Sequence, residues 1–232
     1  RGALEIFAET GTALVGGHSS EGSELSLGFS INGLIDPEKI LQKSGMQTGE
    51  RILLTKALGT GTLFAADMRL AAKGRWIAGA LASMLQGNQD AAACIHEHGA
   101  TACTDVTGFG LLGHLVEMTR ASTVDVELDL DKIPLLEGAI ETVAKGIFST
   151  LQPQNLRLRR AIANAGEASE RTPYPLIFDP QTAGGLLASV PAEKADHCIE
   201  ALHELDYHCA AAIGVVQPRG KLPESVYLTP GD

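Results

Sequence analysis

Residues 124–131 read Val-Asp-Val-Glu-Leu-Asp-Leu-Asp, an unbroken alternation of apolar and acidic side chains. Successive side chains of a strand point to opposite faces, so this stretch buries one face only if it is extended. It predicts a strand over 124–130 whose acidic face is solvated. A strand with one apolar face needs neighbouring strands and a covering layer. Short apolar runs at 52–55, 101–104, 176–178, 186–190, 210–216 and 226–228 supply further strands. So do 12–15 and the alternating Leu25, Leu27, Phe29 and Ile31.

Helical spacing supplies the cover. Ile77, Leu81, Met84 and Leu85 form one stripe of a helix over about 76–86. Leu111, Leu112, Leu115 and Met118 follow the glycines at 108–113, and Ala195, Cys198, Ile199, Leu202 and Leu205 follow Pro191. Further helices are predicted over 3–9, 62–72, from an Asn88 cap to Gly99, after Pro134, and over 155–165. Strands and helices interleave, so the fold class is α/β (α+β), a mixed β-sheet covered by helices. The polar stretch from Asp36-Pro37 to Gly49 is a connector, which divides the chain into 1–44 and 45–232.

Composition narrows the function. The chain has 232 residues with 18 basic and 28 acidic side chains, a formal charge of −10. A surplus of acid argues against direct binding of nucleic acid, which needs Lys and Arg in excess. Aromatic residues make up 4%, too few for base-stacking platforms. No uninterrupted apolar run reaches the roughly 18 residues of a membrane span. Cys94, Cys103, Cys198 and Cys209 show no C-x-x-C spacing and are expected to be reduced thiols of a cytoplasmic protein. The opening Arg1-Gly-Ala-Leu-Glu-Ile-Phe-Ala-Glu reads as the end of a helix already under way, so a C-terminal portion of a longer protein is expected.

Glycine, at 26 residues, gathers into three motifs at strand ends. Gly16-Gly17-His18-Ser19 follows a predicted strand, and glycines there let backbone N–H groups turn toward an anion. A tight turn between strands explains the same residues. In Thr104-Asp105-Val106-Thr107-Gly108-Phe109-Gly110-Leu111-Leu112-Gly113-His114 a strand ends at Asp105 and a glycine loop opens a helix. A carboxylate there suits Mg²⁺, which takes hard oxygen ligands, though Asp105 or Thr107 could equally cap the helix. Asp179-Pro180-Gln181-Thr182-Ala183-Gly184-Gly185 reads as a structural turn. None of the three is a phosphate loop of the Gly-Lys-Ser/Thr kind.

Cys94, His96, His98 and Cys103 lie close enough in sequence for a zinc site to be conceivable. A helix over 94–98 would put 94 and 98 on one face and turn 96 away, which argues against it. Cys198, His203, His208 and Cys209 are spread over a helix and the strand after it and are weaker still.

Taken together, the three glycine motifs resemble those of the selenophosphate synthetase (selenide, water dikinase) family, in its order and near its spacing, over essentially the whole chain. Ala183 stands where many members carry Ser. The resemblance implies a fold like that of aminoimidazole ribonucleotide synthetase, with an N-terminal αβ domain that pairs into a homodimer and a C-terminal α/β domain. It implies conversion of ATP, selenide and water to selenophosphate, AMP and phosphate, with Mg²⁺ as cofactor. By the same resemblance Asp105 is a metal-binding aspartate, and Gly16, Gly17 and His18 contact the nucleotide. Residues 1–44 would be the tail of the N-terminal domain. The family's Cys or selenocysteine and its Lys match no position in this chain, so the chain alone is expected to be inactive. A cyclo-ligase, thiamine-phosphate kinase or hydrogenase-maturation enzyme of the same superfamily, or a non-catalytic nucleotide-binding module, is the alternative.

Overall fold

The computed structural model describes residues 2–230 and divides into two compact units, residues 1–40 and 41–232. The first contains helix α1 (Gly2–Glu9) and a 3-10 turn at Pro37–Lys39, capped by the Asp36 carboxylate, which accepts from the Glu38 N–H. Between them the backbone is irregular. The predicted strands at 12–15 and 25–31 do not form. The alternation at 25–31 is real, but an extended segment becomes a strand only when its N–H and C=O groups pair with a neighbour. No pairing partner for it occurs among the described residues.

The second unit is built on a six-stranded sheet. Its strands are β1 (Arg51–Leu54), β2 (Ala102–Asp105), β3 (Asp125–Leu128), β4 (Leu186–Val190), β5 (Ala211–Gln217) and β6 (Val226–Leu228). The order is β2-β4-β1-β5-β3-β6, and every adjacent pair is antiparallel except β3 with β6. The helices are α2 (Thr60–Met68), α3 (Gly74–Leu85), α4 (Gln89–Glu97), α5 (Gly110–Ser122), α6 (Ala139–Ala144), α7 (Gln152–Asn155), α8 (Ala165–Ala168) and α9 (Ala192–Glu204).

The pleat sorts side chains between two cores. Ile52, Leu54, Leu187, Val126 and Leu128 pack with Leu111, Leu112, Leu115 and Met118 of α5. Leu53, Leu186, Ala188 and Val190 pack on the other face with Ala91, Cys94 and Ile95 of α4 and Ala195, Cys198 and Leu202 of α9. β4 is buried at every position because both of its faces are covered. β3 alternates buried and half-buried, as its sequence dictates. Its acidic face is engaged as well as solvated: Arg219 pairs with Asp125, and Gln217 donates to Glu127 at 3.1 Å.

Two further expectations fail for local reasons. Residues 174–178 form a buried 3-10 turn, not a strand, because Pro173 and Pro175 remove N–H donors from the run. The helix expected over 155–165 breaks into α7, a 3-10 turn at Leu156–Ala161, and α8. Ile162 is pulled extended between them to bridge Val226.

Candidate functional site

Strand register brings three loops to one end of the sheet. Leu54 at the end of β1 lies opposite Leu187, and Asp105 at the end of β2 lies opposite Leu186. Since β4 runs antiparallel to both, the loops leaving β1 and β2 meet the loop that enters β4. These are residues 55–59, 106–109 and 179–185.

Backbone bonds knit them together. Thr55 N–H donates to Leu186 O at 3.0 Å, Val106 N–H to Gly185 O at 2.8 Å, and Gln181 N–H to Thr107 O at 3.0 Å. The Gln181 side chain, 4% exposed, accepts from the N–H groups of Gly59 and Thr60 at 3.0 and 3.2 Å. It thereby satisfies donors at the start of α2 that no cap residue serves. Two glycines permit the close approach. A Cβ on Gly184 would lie 2.1 Å from Val106 O. Gly110, at φ +69°, would place one 2.9 Å from the Phe178 carbonyl carbon.

Four polar side chains brace the loops, three of them buried and Asn88 half-buried. Lys56, 3% exposed, donates from Nζ to Gln86 O at 2.5 Å and to Ser83 O and Ala183 O at 3.2 Å each. Its charge thus sits at the C-terminal, negative end of α3, while burial lowers its pKa. Asn88 stands at the N-cap of α4, as expected, and its carbonyl accepts from the Ala92 N–H, but its side chain makes no capping bond. Its Nδ2 donates instead to Gly184 O at 2.9 Å. His114 Nε2 accepts from the Thr107 N–H at 3.1 Å, which fixes the proton on Nδ1, toward Glu117 Oε2 at 3.6 Å. Burial lowers the His114 pKa, with the Glu117 and Asp105 carboxylates opposing it, so the ring is held neutral.

Asp179 is fully buried. Gln181 Nε2 donates to its Oδ2 at 2.9 Å. Burial pushes its pKa up to about 6. The N–H groups of Gly61 and Thr62 and the Thr62 hydroxyl oppose that rise, although none makes a well-formed hydrogen bond to Oδ1.

Asp105 differs from these. It is the exposed last residue of β2, and no hydrogen bond to its carboxylate occurs among the described residues. Its charge opposes the lowering of the His114 pKa by burial and adds to burial in raising that of Cys103. An uncommitted carboxylate beside a braced backbone loop fits one ligand of Mg²⁺, which takes one or two carboxylates and completes its shell with water and phosphate oxygens. Gly16, Gly17 and His18 lie in the exposed irregular stretch of the first unit. The bracing set of Lys56, Asn88, His114 and Asp179 lay outside the residues singled out for binding. His114 and Asp179 stand within the glycine motifs themselves, which was the available signal for those two; Lys56 and Asn88 carry none.

The cysteine–histidine groups re-sort in space. Cys94, His98 and Cys198 come together, whereas His96 and Cys103 stay outside that cluster. His203 Nε2 donates to Ala210 O at 2.9 Å, and His208 and Cys209 are exposed.

A mixed sheet with helices on both faces and loops gathered at strand ends defines an α/β protein with its candidate site at one sheet end. The chain belongs to the family described as AIR synthase related protein, C-terminal domain, which matches residues 47–225. It is 38% identical over 215 residues to a selenide, water dikinase of Pelobacter propionicus, covering 93% of this chain and 62% of that protein. It is 39% identical over 227 residues to a selenide, water dikinase of Geobacter metallireducens, covering 94% of this chain and 63% of that protein. The chain therefore spans a little under two thirds of these relatives. Among solved structures, the hydrogenase maturation protein HypE superposes with a TM-score of 0.60 at 17% identity, covering 84% of this chain and 53% of HypE. At that identity the likeness is one of fold. No helix among the described residues is long and apolar enough to cross a membrane.

Proposed function

We propose that this chain is the C-terminal part of a selenide, water dikinase, which converts ATP, selenide and water to selenophosphate, AMP and phosphate. The observation that carries the proposal is the 38% identity to a protein of that name across 93% of the chain. Residues 45–232 would be its C-terminal domain and 1–44 the tail of its N-terminal domain, through which a homodimer forms. ATP and Mg²⁺ are its cofactors.

In this reading Asp105 supplies one carboxylate ligand to the Mg²⁺ that accompanies the nucleotide. Gly16, Gly17 and His18 offer backbone and imidazole donors to its phosphates. Mg²⁺ supplies charge neutralisation along the phosphate chain, which is how a protein of net charge −10 accommodates a polyanion. Lys56, Asn88, Gln181 and His114 do not touch substrate. They hold the three loops so that the Asp105 carboxylate stands clear of protein partners.

The full-length protein is predicted to release AMP and orthophosphate from ATP only when selenide is present. Turnover without selenide, or with another acceptor, would overturn the assignment. In that protein Asp105→Asn is predicted to lower turnover on the order of ten- to a hundredfold and to raise the Mg²⁺ concentration needed for half-maximal rate. An unchanged Mg²⁺ dependence would remove Asp105 from the metal's ligands.

A further inference from the structure

Helix α4 places Cys94 and His98 one turn apart on one face, and α9 brings Cys198 against them from the other side of the same core. The two sulfurs and a ring nitrogen of His98 all lie within 4.8 Å of one another. Cys94 Sγ and His98 Nδ1 are 3.7 Å apart. Ligands at Zn–S and Zn–N lengths around a tetrahedral ion are separated by about 3.5 to 3.8 Å, so a small closure of the cluster reaches zinc geometry.

The chemistry of the three groups agrees. Cys94 and Cys198 are buried, and His98 is half-buried, which gives the cluster an opening to solvent. His98 Nδ1 donates to the Cys94 carbonyl oxygen at 2.8 Å, a bond that keeps the imidazole beside the sulfurs and is given up when Nδ1 turns to an ion. None of the three side chains belongs to the loop cluster around Asp105, so the mechanism proposed above leaves them without a task.

We propose that Cys94, His98 and Cys198 form a site for a thiophilic divalent cation of the zinc class, pinning α4 to α9. Three protein ligands leave the fourth position to water, admitted on the His98 side. Binding moves the imidazole proton from Nδ1 to Nε2 and releases the two thiol protons to solvent. Uptake is therefore proton-coupled and weakens as pH falls. The assignment is independent of the proposed kinase activity.

The test is a Zn²⁺ titration of the reduced chain against a chromophoric chelator, with Co²⁺ as a spectroscopic probe of sulfur ligation. The expected result is one ion per chain, a sulfur-to-cobalt charge-transfer band, and a raised unfolding midpoint with Zn²⁺. Cys94→Ala and Cys198→Ala should each abolish all three, while a Cys103→Ala/Cys209→Ala double variant keeps them. Circular dichroism of the metal-free variants verifies the fold, and Cys94→Ser with Cys198→Ser serves if the alanine variants fail to fold. Absence of binding above the chelator, or binding unchanged by loss of Cys94 and Cys198, would overturn the site. So would a Cys94–Cys198 disulfide that persists in reductant.

Discussion

A single carboxyl group gives the most direct test of how the candidate site is braced. Asp179 carries a pKa near 6, where an aspartate in the unfolded chain titrates near 4. The sign follows from linkage. Above about pH 6 both states are ionised and the folded state bears the cost of a buried charge. Below about pH 4 both are protonated and that cost is gone. Stability attributable to Asp179 therefore increases as pH falls from 6 to 4, by about 2 to 3 kcal/mol. Asp179→Asn removes the titration and should lose that trend. Urea unfolding of both proteins at pH 4.5, 5.5, 6.5 and 7.5 reads it as a difference, in which the other carboxylates cancel. His114 works in the opposite direction. Its lowered pKa makes stability present above the unfolded histidine value and lost as pH falls through it. A difference between wild type and Asp179→Asn that is flat across the range would refute the buried-charge account.

At the scale of elements, the three loops are held by contacts that tolerate no added volume. Gly110 opens α5 at φ +69°, and a Cβ there would lie 2.9 to 3.0 Å from backbone atoms of Ile177, Phe178 and Asp179. Gly110→Ala combines left-handed strain with a collision against backbone that cannot rotate away. It should cost about 2 kcal/mol or more in thermal or denaturant unfolding. Gly108→Ala, two residues earlier, meets nothing within 4 Å and should cost little. Equal effects of the two substitutions would show that crowding against the 174–178 turn is unimportant. The same contrast explains what was legible in the sequence. The strand at 125–128 and the helices α3, α5 and α9 carry strong periodicity and form where predicted. Asp105 could be read as a strand-end carboxylate, because a period-independent rule places loops at strand ends. Lys56 and Asn88 could not be read as braces. Their partners, Ala183 O and Gly184 O, are backbone atoms some hundred residues away, and no local pattern records such a pairing. The run at 176–178 misled because a short buried apolar stretch has no period to distinguish strand from turn.

At the scale of the whole molecule, the first unit leaves a question that its own residues answer. Leu25, Leu27 and Ile31 keep the one-sided spacing of a sheet strand, yet are 101%, 81% and 75% exposed. Phe29 is half covered, through an edge-to-face contact with Phe7 at 5.6 Å. Water around such a row of large aliphatic side chains is costly, at about 25 cal/mol per Å² of apolar surface. The backbone that carries them also lacks ladder partners among the described residues. A second copy of the same segment can relieve both costs, since a self-pairing strand offers its donors, acceptors and apolar face together. The chain is therefore predicted to associate as its concentration rises. Leu27→Lys with Ile31→Lys, which places like charges across the pairing, should shift it toward the monomer. The core of residues 41–232 should unfold at the same midpoint in both proteins, because both substitutions lie in the other unit. Light scattering coupled to size exclusion at two concentrations decides the matter. A wild-type chain that is monomeric at both would mean that the alternation at 25–31 is covered by something other than its own copy.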